Sequence, residues 1–361
     1  MLAEANGPEP HRDSNPELTK KPTGHRRSDK DMFFLFIGAS DICKVPGLSA
    51  AGANPQVVPF TAPADADLVC WGRPRVVDVV PVDPQGHPTP ALVTRAARLE
   101  SGFPYLAVRS GSYLPPACPF LDLGALPGGD PQEGPAVPEA RGIFEAAREL
   151  GGNLASLPGP FVLGESVPGG TTTALLVLRA LGRPGMVSSA GPENPVPAKE
   201  QVWERASSRG GISFGGLGSD PLEAVRQLGD PMQAAVAGFV AGLPRTCEVV
   251  LAGGTQMVAV AAVLRHLGED RPLVVATTRY VDQDPSAHFR EMARDLEVEA
   301  YAAPLDFSAC PFPGLADYER GFVKEGVGAG GSVWYAQRLG VSPQRVCART
   351  EELYRLMTQG A

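Results

Sequence analysis

The chain has 361 residues, 43% hydrophobic and 20% charged, enough for a large buried core of ordinary globular composition. A net charge of −8 excludes nucleic acid as the main partner, because duplex affinity rests on Lys and Arg neutralising phosphates. No apolar run approaches the roughly 18 residues of a membrane span, so no membrane partner is expected.

Residues 1–30 are polar, mixed in charge and without an apolar stretch, which predicts a disordered tail rather than a secretion signal. Order is expected from MFFLFIG, beginning at Met32, a short apolar run ended by glycine that reads as a buried strand. A Gly/Pro/Ala loop follows over 45–56, then a second short run, 67–71, again closed by glycine. The segment 89–101 reads as a helix that Thr89 can cap, with Leu92, Ala96 and Leu99 on one face. A strand over 104–108 then precedes a Pro/Gly-rich loop over 109–135.

Beyond this loop one theme recurs: a short apolar strand, a glycine turn, an amphipathic helix. It runs from 161–163 into 171–181, from 248–252 into 256–267, and from 273–276 into 285–296, with a further strand at 298–302. Such alternation predicts an α/β fold, a doubly wound, mainly parallel sheet flanked by helices, with ligands at the carboxyl ends of the strands. The expected organisation is a tail over 1–30, an α/β domain over 31–314, and a smaller helical unit over 315–361.

The glycine turns carry the chemistry. In GESVPGGTTT, Gly169 and Gly170 permit close backbone approach, and Thr171, Thr172 and Thr173 offer N–H and O–H donors at a helix start. Glu165 stands at the strand exit, and the GK[ST] of a Walker loop is missing. In VKEGVGAGG, Gly326, Gly328 and Gly330 surround a second helix start beside Glu325, a carboxylate suited to general-base work if partly desolvated. LAGGTQM supplies Gly253, Gly254, Thr255 and Gln256 at a third turn; an ordinary α/β turn accounts for it equally well. Lys199, ending SSAGPENPVPAK, is a candidate phosphate cation or a surface lysine, and Asp230 in GDPM reads as a helix cap. The six cysteines form no CxxC pair and the five histidines have no ligand spacing. No metal is therefore expected, and the thiols suit small buried positions in a reducing cytoplasm.

Taken in order, VPGLSAAGANP, GESVPGGTTTAL, VSSAGPENP with Lys199, GDPM, LAGGTQM and YERGFVKEGVGAGG resemble the archaeal-type branch of the nicotinate-nucleotide–dimethylbenzimidazole phosphoribosyltransferases, across about residues 33–357. The resemblance implies transfer of 5-phosphoribose from nicotinate mononucleotide to a benzimidazole-type base, giving α-ribazole 5′-phosphate and nicotinate for cobamide assembly. It implies Glu325 as catalytic base, Glu165 as its electrostatic partner, Lys199 and the glycine turns at the phosphate, and Ser49 in the base pocket. It also implies small-molecule substrates only, no cofactor, a homodimer and a cytoplasmic location. Pro168, Gly169 and Gly170 replace the IGN of the bacterial enzymes, so the donors there are not carried over. Two alternatives stay open: a non-catalytic nucleotide-binding relative, and a ribokinase-like kinase, although Gly331 occupies the place of that family's catalytic aspartate.

Overall fold

The computed structural model describes residues 32–49, 54, 56–77, 79, 81–83, 85–157 and 159–359; the tail expected over 1–30 lies outside them. The strands are β1 (Met32–Ile37), β2 (Tyr105–Arg109), β3 (Phe120–Asp122), β4 (Phe161–Ser166), β5 (Val249–Ala252), β6 (Leu273–Thr278) and β7 (Glu299–Ala303). They form one sheet in the order β3-β2-β1-β4-β5-β6-β7, and every pairing is parallel.

The sequence of β1, MFFLFI, is apolar throughout because both faces of the sheet are covered. Successive side chains alternate: Phe34 and Phe36 enter one apolar layer, while Phe33, Leu35 and Ile37 enter the other. β4 and β5 divide in the same way, Leu163 and Leu251 to the first layer and Val162 and Val250 to the second. Helices Ala140–Asn153, Gly170–Ala180, Pro231–Gly242 and Thr255–His266 cover the first face; Thr61–Trp71, Ala91–Ser101 and Ala329–Arg338 cover the second. The expected doubly wound α/β sheet is the observed fold. The segment after 315 supplies Ala329–Arg338, which crosses β4 to β7, and Pro343–Gln359, which packs on Ala91–Ser101.

Several elements differ from expectation for local reasons. The run 67–71 is the last turn of a helix, Thr61–Trp71, ended by Gly72 in the left-handed conformation. The loop 109–135 contains the short edge strand β3. The helix expected over 285–296 begins only at Phe289, after a separate turn, Arg279–Asp282. Thr89 stands one residue before the N-cap, Pro90; its hydroxyl accepts the Ala91 N–H at 3.3 Å and donates to Asp65 at 2.7 Å.

The chain steps from β1 to β2 on one side and reaches β4 on the other. This reversal opens a crevice beyond the carboxyl ends of β1 and β4, where open parallel sheets bind ligands.

Candidate active site

A cavity of about 290 Å³ occupies this crevice. One wall is acidic. Glu165 lies at the end of β4, in register with Phe36, and is 3% exposed. The Gln256 amide donates to its carboxylate, and the Gln256 carbonyl accepts the Thr171 N–H at 3.2 Å, so the first and third glycine turns are tied through one side chain. A Cβ on Gly170 would fall 2.4 Å from the Gln256 amide, at the atom that accepts the Thr171 N–H; glycine there makes room for the amide. Burial, and after it the charges of Glu325, Asp230 and Asp65, hold the Glu165 carboxyl well above the usual range.

Glu325 hangs over the same space from the loop before Ala329–Arg338. One of its oxygens accepts the Thr278 N–H at 2.7 Å and the Thr277 hydroxyl at 3.2 Å. The other accepts the Gly326 N–H at 3.1 Å, and the Gly330 N–H lies 3.3 Å from both. Desolvation outweighs these donors and pushes its pKa up to about 7. The loop is held in a costly shape: Val323 and Val327 take φ of 49° and 57°, where a β-branched residue is a genuine outlier. It is fastened on both sides, by Val323 N–H to Ala190 carbonyl at 2.6 Å and Thr94 hydroxyl to Val327 carbonyl at 2.9 Å. The loop meets β4 where Gly164 and Gly328 touch; a Cβ on Gly328 would lie 2.9 Å from the Gly164 Cα.

An ion pair borders the same cavity. Lys324, 4% exposed, lines the cavity and donates to Asp284 at 2.7 Å. The same Asp284 oxygen accepts the Ser188 hydroxyl at 2.7 Å. Behind Ser188 lies Lys199, fully buried, donating to the Ser188 carbonyl at 2.7 Å and to Asn194 Oδ1 at 2.8 Å. Burial, then the charge of Lys324, lowers the Lys199 pKa to about 7, while Asp284 opposes the shift.

The predicted site residues therefore take different stations. Ser49, Gly169, Gly170, Thr171, Gly254, Thr255, Gln256, Gly326 and both glutamates line the cavity. Gly253 sits behind Glu165, where a Cβ would be 3.1 Å from its carboxylate. Thr172 and Thr173 are buried in their helix, Thr173 donating to Asp230 at 2.6 Å. Asp230 is a cap, in a full capping box with Gln233. Gly328 and Gly330 pack the following helix on the sheet, and Lys199 stands one layer behind the wall.

Sequence reasoning missed three lining groups. Lys324 is adjacent to Glu325 but was not distinguishable from a solvated lysine. Asp65 sits within an alanine-rich stretch that gives no motif. His87 bonds Asp83 at 2.7 Å and Asp317 at 3.1 Å, pinning the strap 81–89 over the cavity; its only signal is one histidine in a turn.

A parallel sheet with two glycine-flanked glutamates over its switch point has the fold of a known class of transferase. A nicotinate-nucleotide-dimethylbenzimidazole phosphoribosyltransferase from Thermus thermophilus matches with a TM-score of 0.55 at 17% identity, over 90% of this chain and 83% of that one. A structure of CobT from the same organism also gives 0.55, at 18% identity over 90% and 84%. At this identity the likeness is one of fold. No protein-family model matches. In sequence, a UPF0284 protein of Pyrococcus furiosus is 50% identical over 328 residues, 90% of this chain and 98% of the relative. Others come from Thermococcus kodakarensis, 48% identical over 90% of this chain and 97% of the relative, and Methanosarcina acetivorans, 43% identical over 96% and 99%. The chain belongs to the UPF0284 family, in line with the archaeal-type branch its motifs resemble.

Proposed function

We propose that the chain transfers 5-phosphoribose from nicotinate mononucleotide to a benzimidazole-type base, releasing nicotinate and forming α-ribazole 5′-phosphate for the nucleotide loop of cobamides. The observation that carries this reading is the polarity of one cavity, lined together by Glu165, Glu325, Lys324, Ser188 and Thr255. A pyridinium nucleotide needs both, an anion site for its phosphate and acceptors where positive charge develops.

In the reaction the unprotonated ring nitrogen of the base attacks the anomeric carbon. The bond to the pyridinium nitrogen breaks, and its electron pair returns to that ring as nicotinate leaves. The remaining imidazole N–H then yields its proton to Glu325, whose raised pKa suits an acceptor working near neutrality. Glu165 is assigned to the cation-like ribose, whose developing positive charge favours the ionised form of a carboxyl that burial otherwise holds well above the usual range, and attack opposite the leaving group turns a β-nucleotide into an α-product. Gly169, Gly170 and Thr171 are assigned to the phosphate through the positive end of their helix, since the Gly170 N–H is taken by the Val167 carbonyl and the Thr171 N–H by Gln256; Lys324 lines the cavity, while Lys199 stands behind Ser188. The resemblance extends the proposal to a cytoplasmic homodimer, which sedimentation of the purified protein tests. The reaction itself is tested by incubating the protein with nicotinate mononucleotide and 5,6-dimethylbenzimidazole. Release of nicotinate is expected, and its absence with every benzimidazole and purine base tried overturns the assignment.

A further inference from the structure

Asp65, on the helix Thr61–Trp71, is a third carboxylate of the cavity that the two-glutamate scheme does not use. It is 3% exposed. Its two oxygens accept the Thr89 hydroxyl at 2.7 Å and the Ser166 hydroxyl at 2.8 Å. Among the described residues only these two hydroxyls lower its pKa; burial dominates and pushes it up to about 6. A carboxylate offers about four lone-pair positions, so two hydroxyl donors leave acceptor capacity toward the cavity. The glutamates have less to spare. Glu165 is covered by the Gln256 amide, and Glu325 takes three backbone N–H groups and a hydroxyl.

Its surroundings define what it can meet. Ala64, its neighbour on the helix, lines the cavity with Phe60, Val77 and Val82, which together supply apolar surface suited to a flat ring. Ser166, which donates to it, leads directly into Val167–Gly170, the turn assigned to the phosphate. In any nucleotide the sugar lies between ring and phosphate. We propose that Asp65 reads the sugar, accepting a hydrogen bond from a ribose hydroxyl, with Ser166 and Thr89 aiming its carboxylate. This rests on the phosphoribosyl reading and assigns a residue to the part of the substrate which that reading leaves unheld.

Calorimetric titration of the wild type and Asp65→Asn with nicotinate mononucleotide, its 2′-deoxy and 3′-deoxy counterparts, and 5,6-dimethylbenzimidazole alone separates the outcomes. The wild type is expected to bind the ribonucleotide about tenfold or more tightly than at least one deoxy form, the scale of a hydrogen bond to a charged acceptor. Asp65→Asn is expected to lose most of that preference while binding the deoxy form as the wild type does. If the variant melts early, Ser166→Ala is the second test, with the same ratio falling by less. A preference kept intact in both variants, or absent from the wild type, overturns the assignment to ribose. A loss confined to free dimethylbenzimidazole also overturns it and gives Asp65 to the base. Wild-type protein that binds no nucleotide overturns the phosphoribosyl reading itself, a distinct result.

Discussion

The two glycine-glutamate motifs look alike as strings and do different work in space. In GESVPGGTTT Gly169, at φ of 86°, and Gly170 bring backbone to the cavity lining; a Cβ on them would fall 2.6 Å from Ile42 Cγ2 and 2.4 Å from the Gln256 amide, and of the threonines beyond, Thr171 lines the cavity while Thr172 and Thr173 are buried. In VKEGVGAGG most of the glycines face the sheet. A Cβ on Gly330 would lie 2.0 Å from the Thr277 carbonyl carbon, and one on Gly331 2.2 Å from the Ala252 Cβ. There the missing side chains let a helix sit almost on β5 and β6, which brings Glu325 to the cavity. Glycine enrichment beside an acidic residue thus marks either a backbone turn that lines a cavity or a seat for a helix.

The largest effect that tests this contrast is on turnover. Glu325→Gln is expected to lower kcat by about 10²–10⁴-fold, the usual worth of a general base, while nicotinate mononucleotide still binds. Full activity in that variant removes the proton acceptor from the second motif. Gly330→Ala should act through packing instead, costing at least about 1–3 kcal/mol in a denaturant titration, because the added methyl has no space. A stable Gly330→Ala protein that merely binds nucleotide poorly would put that glycine back among the ligand contacts. Thr173→Val is expected to cost about 1–3 kcal/mol by leaving buried Asp230 without its hydroxyl donor, with little change in nucleotide affinity.

The smallest expected effect is a slope against pH. The folded protein holds the Glu325 proton up to about pH 7, whereas the unfolded chain releases it near the ordinary value of 4.5. Between these values the unfolded state binds fewer protons, so raising the pH withdraws stability. The melting temperature of Glu325→Gln should therefore fall less than that of the wild type across this window. The wild-type kcat/KM should rise through the same region toward a plateau above pH 7, a limb the variant lacks.

Much of the fold was legible because it is written in short-range terms. Apolar runs without alternation, such as MFFLFI, mean strands covered on both faces, and recurring glycine turns into helices mean parallel connections. Asp230 as a cap was readable from GDPM for the same reason. The site was legible in its glutamates and glycine turns, which share motifs, but not in its depth. Whether Lys199 touches the cavity or stands behind Ser188 depends on the crossing of an entire helix, Val196–Gly210, over the wall. Asp65 and His87 come to the cavity from a helix and a strap lying between β1 and β2 in the chain, and no local pattern records that they meet Ser166 of β4 and Asp317.

The touch between Gly164 and Gly328 has a bearing on assembly during synthesis. The two positions are 164 residues apart, and the first emerges from the ribosome long before the second. At common elongation rates of about 5–20 residues per second, that separation is on the order of ten seconds or more. Through this interval the nascent chain holds the first glycine turn without Glu325. Whatever chemistry the cavity performs is thereby withheld until the last strand and the helix after it have docked, so turnover reports a finished sheet.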